Sequence, residues 1–325
     1  MKKLAVLIVL VCTILSCNEG TKQNQRMVPK SSGNLYNVSV VVDNELWNGN
    51  VGDAIRDVLT TVVPGLPQPE PMFDINQIPP QVFSGFAAKN RIVLKIEKSD
   101  KSEIKIATDA YAQPQKVIVV SGPNDTKLIE VLKDNKDKIL DTFKNQEIEA
   151  RQALTNNSLH TNNNIEKKLG ISIKFPSIYR IAKEDGDFFW VRKNLTTGTN
   201  NFMVYQVPLD AIDKEGDITQ QIITIRDSVG KKYIPGPIDG SYMKTEEAYT
   251  PFLFTTIIDN KPTYEVRSTW DIEGTYNAGP FVNYMVEDKI NNRYVVLEGF
   301  TFAPSVNKRD YILELESIIK SLKIN

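Results

Sequence analysis

Residues 294–322 read YVVLEGFTFAPSVNKRDYILELESIIKSL. Residues 294–302 are rich in β-branched and aromatic side chains, which predicts a strand. Past Pro304 the period changes. Tyr311, Ile312, Leu315, Ile318, Ile319 and Leu322 recur at helical spacing, so Ser305 or Asn307 starts a helix with that face inward. A strand feeding directly into an amphipathic helix is the unit from which an α+β fold is assembled.

Upstream, the chain continues as a strand meander. Residues 252–258, 264–270 and 281–286 read as strands. Asp259-Asn260 and Asn291-Asn292 supply hairpin turns, because Asn and Asp tolerate the left-handed backbone such turns need. Residues 171–175, 188–192 and 202–207 add further strands, with a turn at Asp185-Gly186. Asp217 with Gln220 resembles a capping box. The helix it opens carries Ile218, Ile222, Ile225, Arg226 and Val229 on one face, and Gly230 is expected to end it.

The first half repeats the theme without aligning to the second. Residues 37–43 (NVSVVVD) form a buried strand. Val51, Ile55, Val58, Leu59 and Val62 follow at helical spacing up to Pro64. Residues 64–80, PGLPQPEPMFDINQIPP, hold six of the 17 prolines and read as an extended, polyproline-like arm over the surface. Strands follow at 91–98, 103–108 and 116–120. Asn124 or Asp125 then caps one long helix striped by Leu128, Leu132, Ile139, Phe143, Ala150 and Leu154. The asparagine-rich stretch 155–164 ends it and separates two domains, 34–158 and 165–325. The expected class is α+β, antiparallel sheets each packed by helices.

Composition narrows the function. The 325 residues carry 39 basic and 40 acidic side chains with no basic block, so nucleic acid is not an expected partner. The two cysteines both lie near the N-terminus. Lys2 and Lys3 precede the apolar run 4–15, which is too short to span a bilayer. Ser16-Cys17 closes it in the manner of a bacterial lipoprotein signal. On that reading residues 1–16 are a signal peptide and Cys17 carries the lipid. Residues 17–33 form a flexible tether holding the fold roughly 20–25 Å from the membrane. The expected location is the cell envelope, on the periplasmic side of the outer membrane. The partners are the membrane, through the lipid, and an envelope protein.

A thiol spent on lipid leaves no cysteine in the fold. The single histidine, His160, sits in the asparagine-rich linker, so nucleophilic triads and His/Cys metal sites lack parts. No metal and no cofactor are expected. Ser-x-x-Lys occurs at Ser102/Lys105, Ser228/Lys231 and Ser317/Lys320 without its companion motifs. Asp213-Lys214-Glu215-Gly216-Asp217 lacks the distal Glu of an EF-hand, because that position is Ile222. One patch remains: Asp43, Glu45 and Trp47 after the first strand, with Glu70 and Asp74 from the proline arm, as a loop-borne ligand or partner site. The resulting expectation is a non-catalytic binding or scaffolding protein. The alternative is an envelope hydrolase of glycan or cell-wall material working through two of these carboxylates.

The tracts DNELWNGNVGDAIRD (43–57) and GLPQPEPMFDI (65–75), behind the apolar N-terminus, resemble a domain-of-unknown-function family of envelope lipoproteins from the Bacteroidota. The likeness runs from about Ser31 to the C-terminus and brings no catalytic residues with it. The second half also resembles PsbP/Mog1-like α+β domains. It shares a first strand ending at Phe175-Pro176, a strand meander, and a last helix closing on Ser321-Leu322-Lys323.

Overall fold

The computed structural model describes residues 28–161 and 163–325. The expected signal peptide, Cys17 and most of the expected tether lie outside them. The described tether residues are not free. Ser31 N donates to the Gln113 carbonyl and Gln113 N to the Pro29 carbonyl, both at 2.9 Å, so residues 29–33 are laid onto the first half by backbone pairing.

The first half contains β1 (Asn37–Val41), α1 (Asn44–Asn48), α2 (Asn50–Leu59), β2 (Asp74–Ile78), β3 (Ile92–Lys98), β4 (Glu103–Thr108), β5 (Lys116–Gly122), α3 (Asp125–Asp134) and α4 (Lys136–Thr155). Its sheet has the order β2-β1-β3-β5-β4. Only β4 runs antiparallel to its neighbour, so this sheet is mixed rather than antiparallel as expected. The reason is the long connections. After β1 the chain must cross over through two helices and the proline arm, and such a crossover delivers the next strand parallel. The strands also read correctly as unbroken apolar runs, because both faces of β1 and β3 are covered. The expected single long helix is broken at Asn135, whose side-chain amide donates to the Val131 carbonyl at 2.8 Å and competes with the helical ladder.

The second half contains α5 (Asn164–Leu169), β6 (Ile171–Ser172), β7 (Arg180–Asp185), β8 (Phe188–Leu195), β9 (Gly198–Pro208), α6 (Ile218–Tyr233), β10 (Met243–Thr245), β11 (Phe252–Ile258), β12 (Lys261–Ile272), β13 (Ala278–Asp288), β14 (Arg293–Phe302), α7 (Arg309–Ile319) and β15 (Lys323–Ile324). Its main sheet is wholly antiparallel, in the order β10-β12-β13-β14-β9-β8-β7, with β11 also on β12. Asp259 and Asn260 both take positive φ in the β11–β12 turn, as that hairpin requires. The α+β class therefore holds for the whole chain. No helix among the described residues is long and apolar enough to cross a membrane.

Strand alternation divides the large sheet between two cores. Phe202, Val204, Val295 and Leu297 face α7 and the first half. Met203, Tyr205, Tyr294 and Val296 face α6. Gly230 lies inside α6 rather than ending it. A Cβ there would come within 2.4 Å of the Met243 carbonyl oxygen, so the glycine lets β10 approach the helix.

The two halves share one apolar cluster, running from Tyr36 to Leu322, with α7 between them. Ile312 to Ile319 are all buried, polar residues included, because the sheet covers one side of α7 and α4 the other. The buried charges are matched across the junction. Glu316 is held by Arg267 from β12 at 2.6 Å and Lys144 from α4 at 2.9 Å, and accepts from the Tyr284 hydroxyl. Burial favours the protonated acid, yet these cations outweigh it and hold the Glu316 carboxyl well below the usual carboxylate range. Glu314 is bound by Arg151, Lys193 and the Tyr179 hydroxyl.

The proline arm is part of this junction and not a surface loop. Gly65, at φ +82°, lies so close to β12 that a Cβ would meet the Arg267 Cβ at 2.7 Å. Phe73 is fully buried, and residues 74–78 become edge strand β2. Replacing Glu70 by Ala removes the acceptor for two backbone donors at the start of α7. We expect a loss of about 1–3 kcal/mol in urea unfolding with an unchanged slope. Lys308→Ala, whose contact is through the backbone, should cost much less.

Glu314 yields a pH prediction. Burial pushes its carboxyl up, but Arg151 and Lys193 prevail and lower it. A carboxyl lowered in the folded state adds stability above its unfolded pKa of about 4.3 and loses it as pH falls through the folded value. Glu314→Gln should therefore be less stable than the parent at pH 7, and the difference should shrink by pH 3. Urea curves at the two pH values check this, and a difference that widens on acidification refutes it.

Candidate functional site

The structure does not bring the five patch residues together. Asp43 and Glu45 line a cavity of about 540 Å³ with Leu46, Gln81, Lys98 and Asp125. It lies beyond the carboxyl ends of β1, β3 and β5, where open sheets commonly leave a crevice. Lys98 already faces Asp125 there at 3.6 Å. Trp47 packs beneath the Arg56 guanidinium, 4.6 Å from the ring centroid, and Asp53 holds the same arginine at 2.7 Å.

Glu70 and Asp74 point the other way, into the junction. The two oxygens of Glu70 accept from Lys308 N at 2.8 Å and Arg309 N at 2.9 Å, at the positive end of the α7 dipole. Asp74 pairs with the Arg309 guanidinium at 2.9 Å. These two carboxylates thus hold α7 in place. They do not form with Asp43 or Glu45 the facing pair that glycoside hydrolysis requires.

The other sequence candidates also take structural places. His160 stacks on Phe175 at 4.6 Å, and its backbone donates to the Phe175 carbonyl. Ser228 and Ser317 donate to carbonyls of their own helix turns. Asp217 caps α6 by accepting from Gln220 N at 3.0 Å. Among the described residues no three His, Cys, Asp or Glu side chains gather as a metal site would need.

A different site emerges on the α6 face of the large sheet. Helix α6 covers one end of that face and then stops. The segment 234–237 turns away toward β10, through the Pro235–Tyr242 bridge and a Gly236 N to Ser241 carbonyl bond of 2.9 Å. The uncovered end of the sheet is a pocket of about 350 Å³. Trp190 from β8, Trp270 from β12, and Phe300 and Phe302 from β14 form its aromatic walls. Trp270 meets Phe300 edge-to-face at 5.9 Å and Phe302 at 6.3 Å, which fixes the ring positions.

The polar groups of this pocket are few and mostly donors. Trp190 Nε1 donates to Asn201 Oδ1 at 3.1 Å. Trp270 is 4% exposed and its Nε1 has no acceptor. Arg192 Nε is buried without an acceptor, and its guanidinium makes no ion pair among the described residues. Burial, then the neighbouring charge of Arg180, lowers the Arg192 pKa. Among the described residues no carboxylate lines the pocket. An aromatic cleft with a small number of unsatisfied donors is the usual composition of a small-molecule site.

Sequence reading missed this pocket, although its signal was present. Trp190-Val191-Arg192 and Phe300-Thr301-Phe302 place like-facing residues two apart on strands. Nothing in the sequence showed that β8, β12 and β14 share one sheet, or that α6 would leave that end bare.

By fold, part of the chain is weakly similar to the Ran-binding protein Mog1p of Saccharomyces cerevisiae. The identity is 7%, with 47% of this chain and 89% of that one covered, and the TM-score is 0.32. A structure of a Mog1 point mutant is similar at 5% identity, 47% and 90% coverage and a TM-score of 0.30. Likeness at this level carries no argument about function. No curated protein matches the chain by sequence. Two family models match rather than one, both domains of unknown function. DUF8532 covers residues 31–156, and DUF4837 covers residues 158–321. The second of these spans half of the sequence, and the chain belongs to the DUF4837 family of domains of unknown function.

Proposed function

We propose that the protein is a lipid-anchored envelope protein of the Bacteroidota that holds a small ligand in the aromatic pocket without transforming it. The observation that carries the binding role is the pocket itself: four aromatic walls, the guanidinium of Arg192 on its lining, and, among the described residues, no carboxylate to act as acid or base. Donors orient and hold a ligand, whereas hydrolysis needs a group that moves a proton. The anchor rests on Lys2-Lys3, the apolar run 4–15 and Ser16-Cys17. Each buried acyl methylene adds about 0.8 kcal/mol, so two or more chains on Cys17 give stable membrane attachment, which we propose is on the outer membrane, facing the periplasm.

Two measurements test the two parts separately. Cells fed an alkyne fatty acid should label the parent protein and not Cys17→Ser, and an unlabelled parent protein refutes the anchor. Purification of the full chain from native membranes, followed by small-molecule mass spectrometry, should recover a compound that is lost in Trp190→Ala. Identical extracts from the two proteins refute the pocket as the binding site.

A further inference from the structure

Arg192 lines the pocket, and the neighbouring strand β7 sets further cations beside it. Arg180 and Arg192 lie directly opposite one another on β7 and β8. Like charges in that relation repel, and native sheets usually oppose them with an acid. Here neither has one among the described residues. Every other described arginine (56, 91, 151, 226, 267, 293 and 309) pairs with a carboxylate within 4 Å.

A backbone irregularity adds a third cation. The β7–β8 register shifts between Ile181 and Lys183, so that Lys183, and not Ala182, lies opposite Trp190. Bulges of this kind re-aim side chains and recur beside functional sites. Because Trp190 and Arg192 share one face of β8, the bulge sets Lys183 on the same face as Arg180 and Arg192. Lys183 also reaches over the Tyr233 ring at 5.2 Å, at the end of α6, and makes no ion pair among the described residues. Three cations that make no ion pair among the described residues therefore share this face, Lys183 opposite Trp190 and Arg180 opposite Arg192.

We infer that the pocket takes an acidic saccharide, its ring against the tryptophans and its carboxylate on Arg192. This deepens the binding role proposed above and rests on it. A pyranose offers one face of C–H groups that packs on aromatic rings. Its hydroxyls match the side-chain amide of Asn277, which lines the cavity. A carboxylate matches a guanidinium in a bidentate fork, and binding there returns to Arg192 the partner that the fold withholds. The cavity, about 350 Å³, is at the small end of ligand pockets and suits one or two rings.

The test is a tryptophan-fluorescence titration of the full chain with D-glucuronate, D-glucose and indole-3-acetate. Glucuronate should bind at least about tenfold more tightly than glucose, as expected for a charge-assisted pair. Arg192→Gln should erase that preference. Arg180→Gln, at an exposed position, should weaken glucuronate by a few fold without risk to folding. Equal affinity for glucuronate and glucose, tight binding of indole-3-acetate alone, or no response to any of the three overturns the inference. A neutral compound recovered with the native protein would leave the binding role intact while refuting the acidic class.

Discussion

Two carboxylates on one helix, Glu314 and Glu316, are buried at the junction between the halves, and the rest of the architecture is arranged to neutralise them. Burying an unpaired charge costs several kcal/mol, so each needs cations from both sides. Lys144 and Arg151 come from α4, and Lys193 and Arg267 from the large sheet. Neither half alone supplies the full set. The continuous apolar cluster adds a non-directional attraction to the same junction, and the ion pairs give it one register.

The proline arm acts in the same place. Its Glu70 caps the start of α7 and its Asp74 holds Arg309, so the arm fixes the end of the helix that the buried carboxylates fix along its length. Carboxylates engaged in this way are unavailable for chemistry, which is why the patch read from sequence divides. The pocket on the opposite face has a different origin. It exists because α6 is shorter than the sheet it covers, and because the strands beneath its missing end carry large aromatics and a half-buried arginine.

Much of the fold was legible in the residues. The period-2 strands of the second half, the turns at Asp259-Asn260 and Asn291-Asn292, and the Asp217 cap all act locally, within a few residues, and local signals survive folding. Strand direction in the first half was not legible. An apolar run such as NVSVVVD looks the same in parallel and antiparallel sheets, and its partner is chosen by the connection that follows. Gly230 misled for a related reason. A glycine that ends a helix and one that admits a neighbouring strand are identical in sequence.

By itself the sequence determined the α+β class, most element boundaries and the segments that form turns, because these follow from hydrophobic period and backbone preference. Only the tertiary structure decided which carboxylates meet cations, that both sides of α7 are covered, and that Trp190, Arg192, Trp270 and Phe300 share a pocket. Those outcomes depend on strands far apart in the chain becoming neighbours, and long-range pairing is set by the packing of the whole and not by any local stretch.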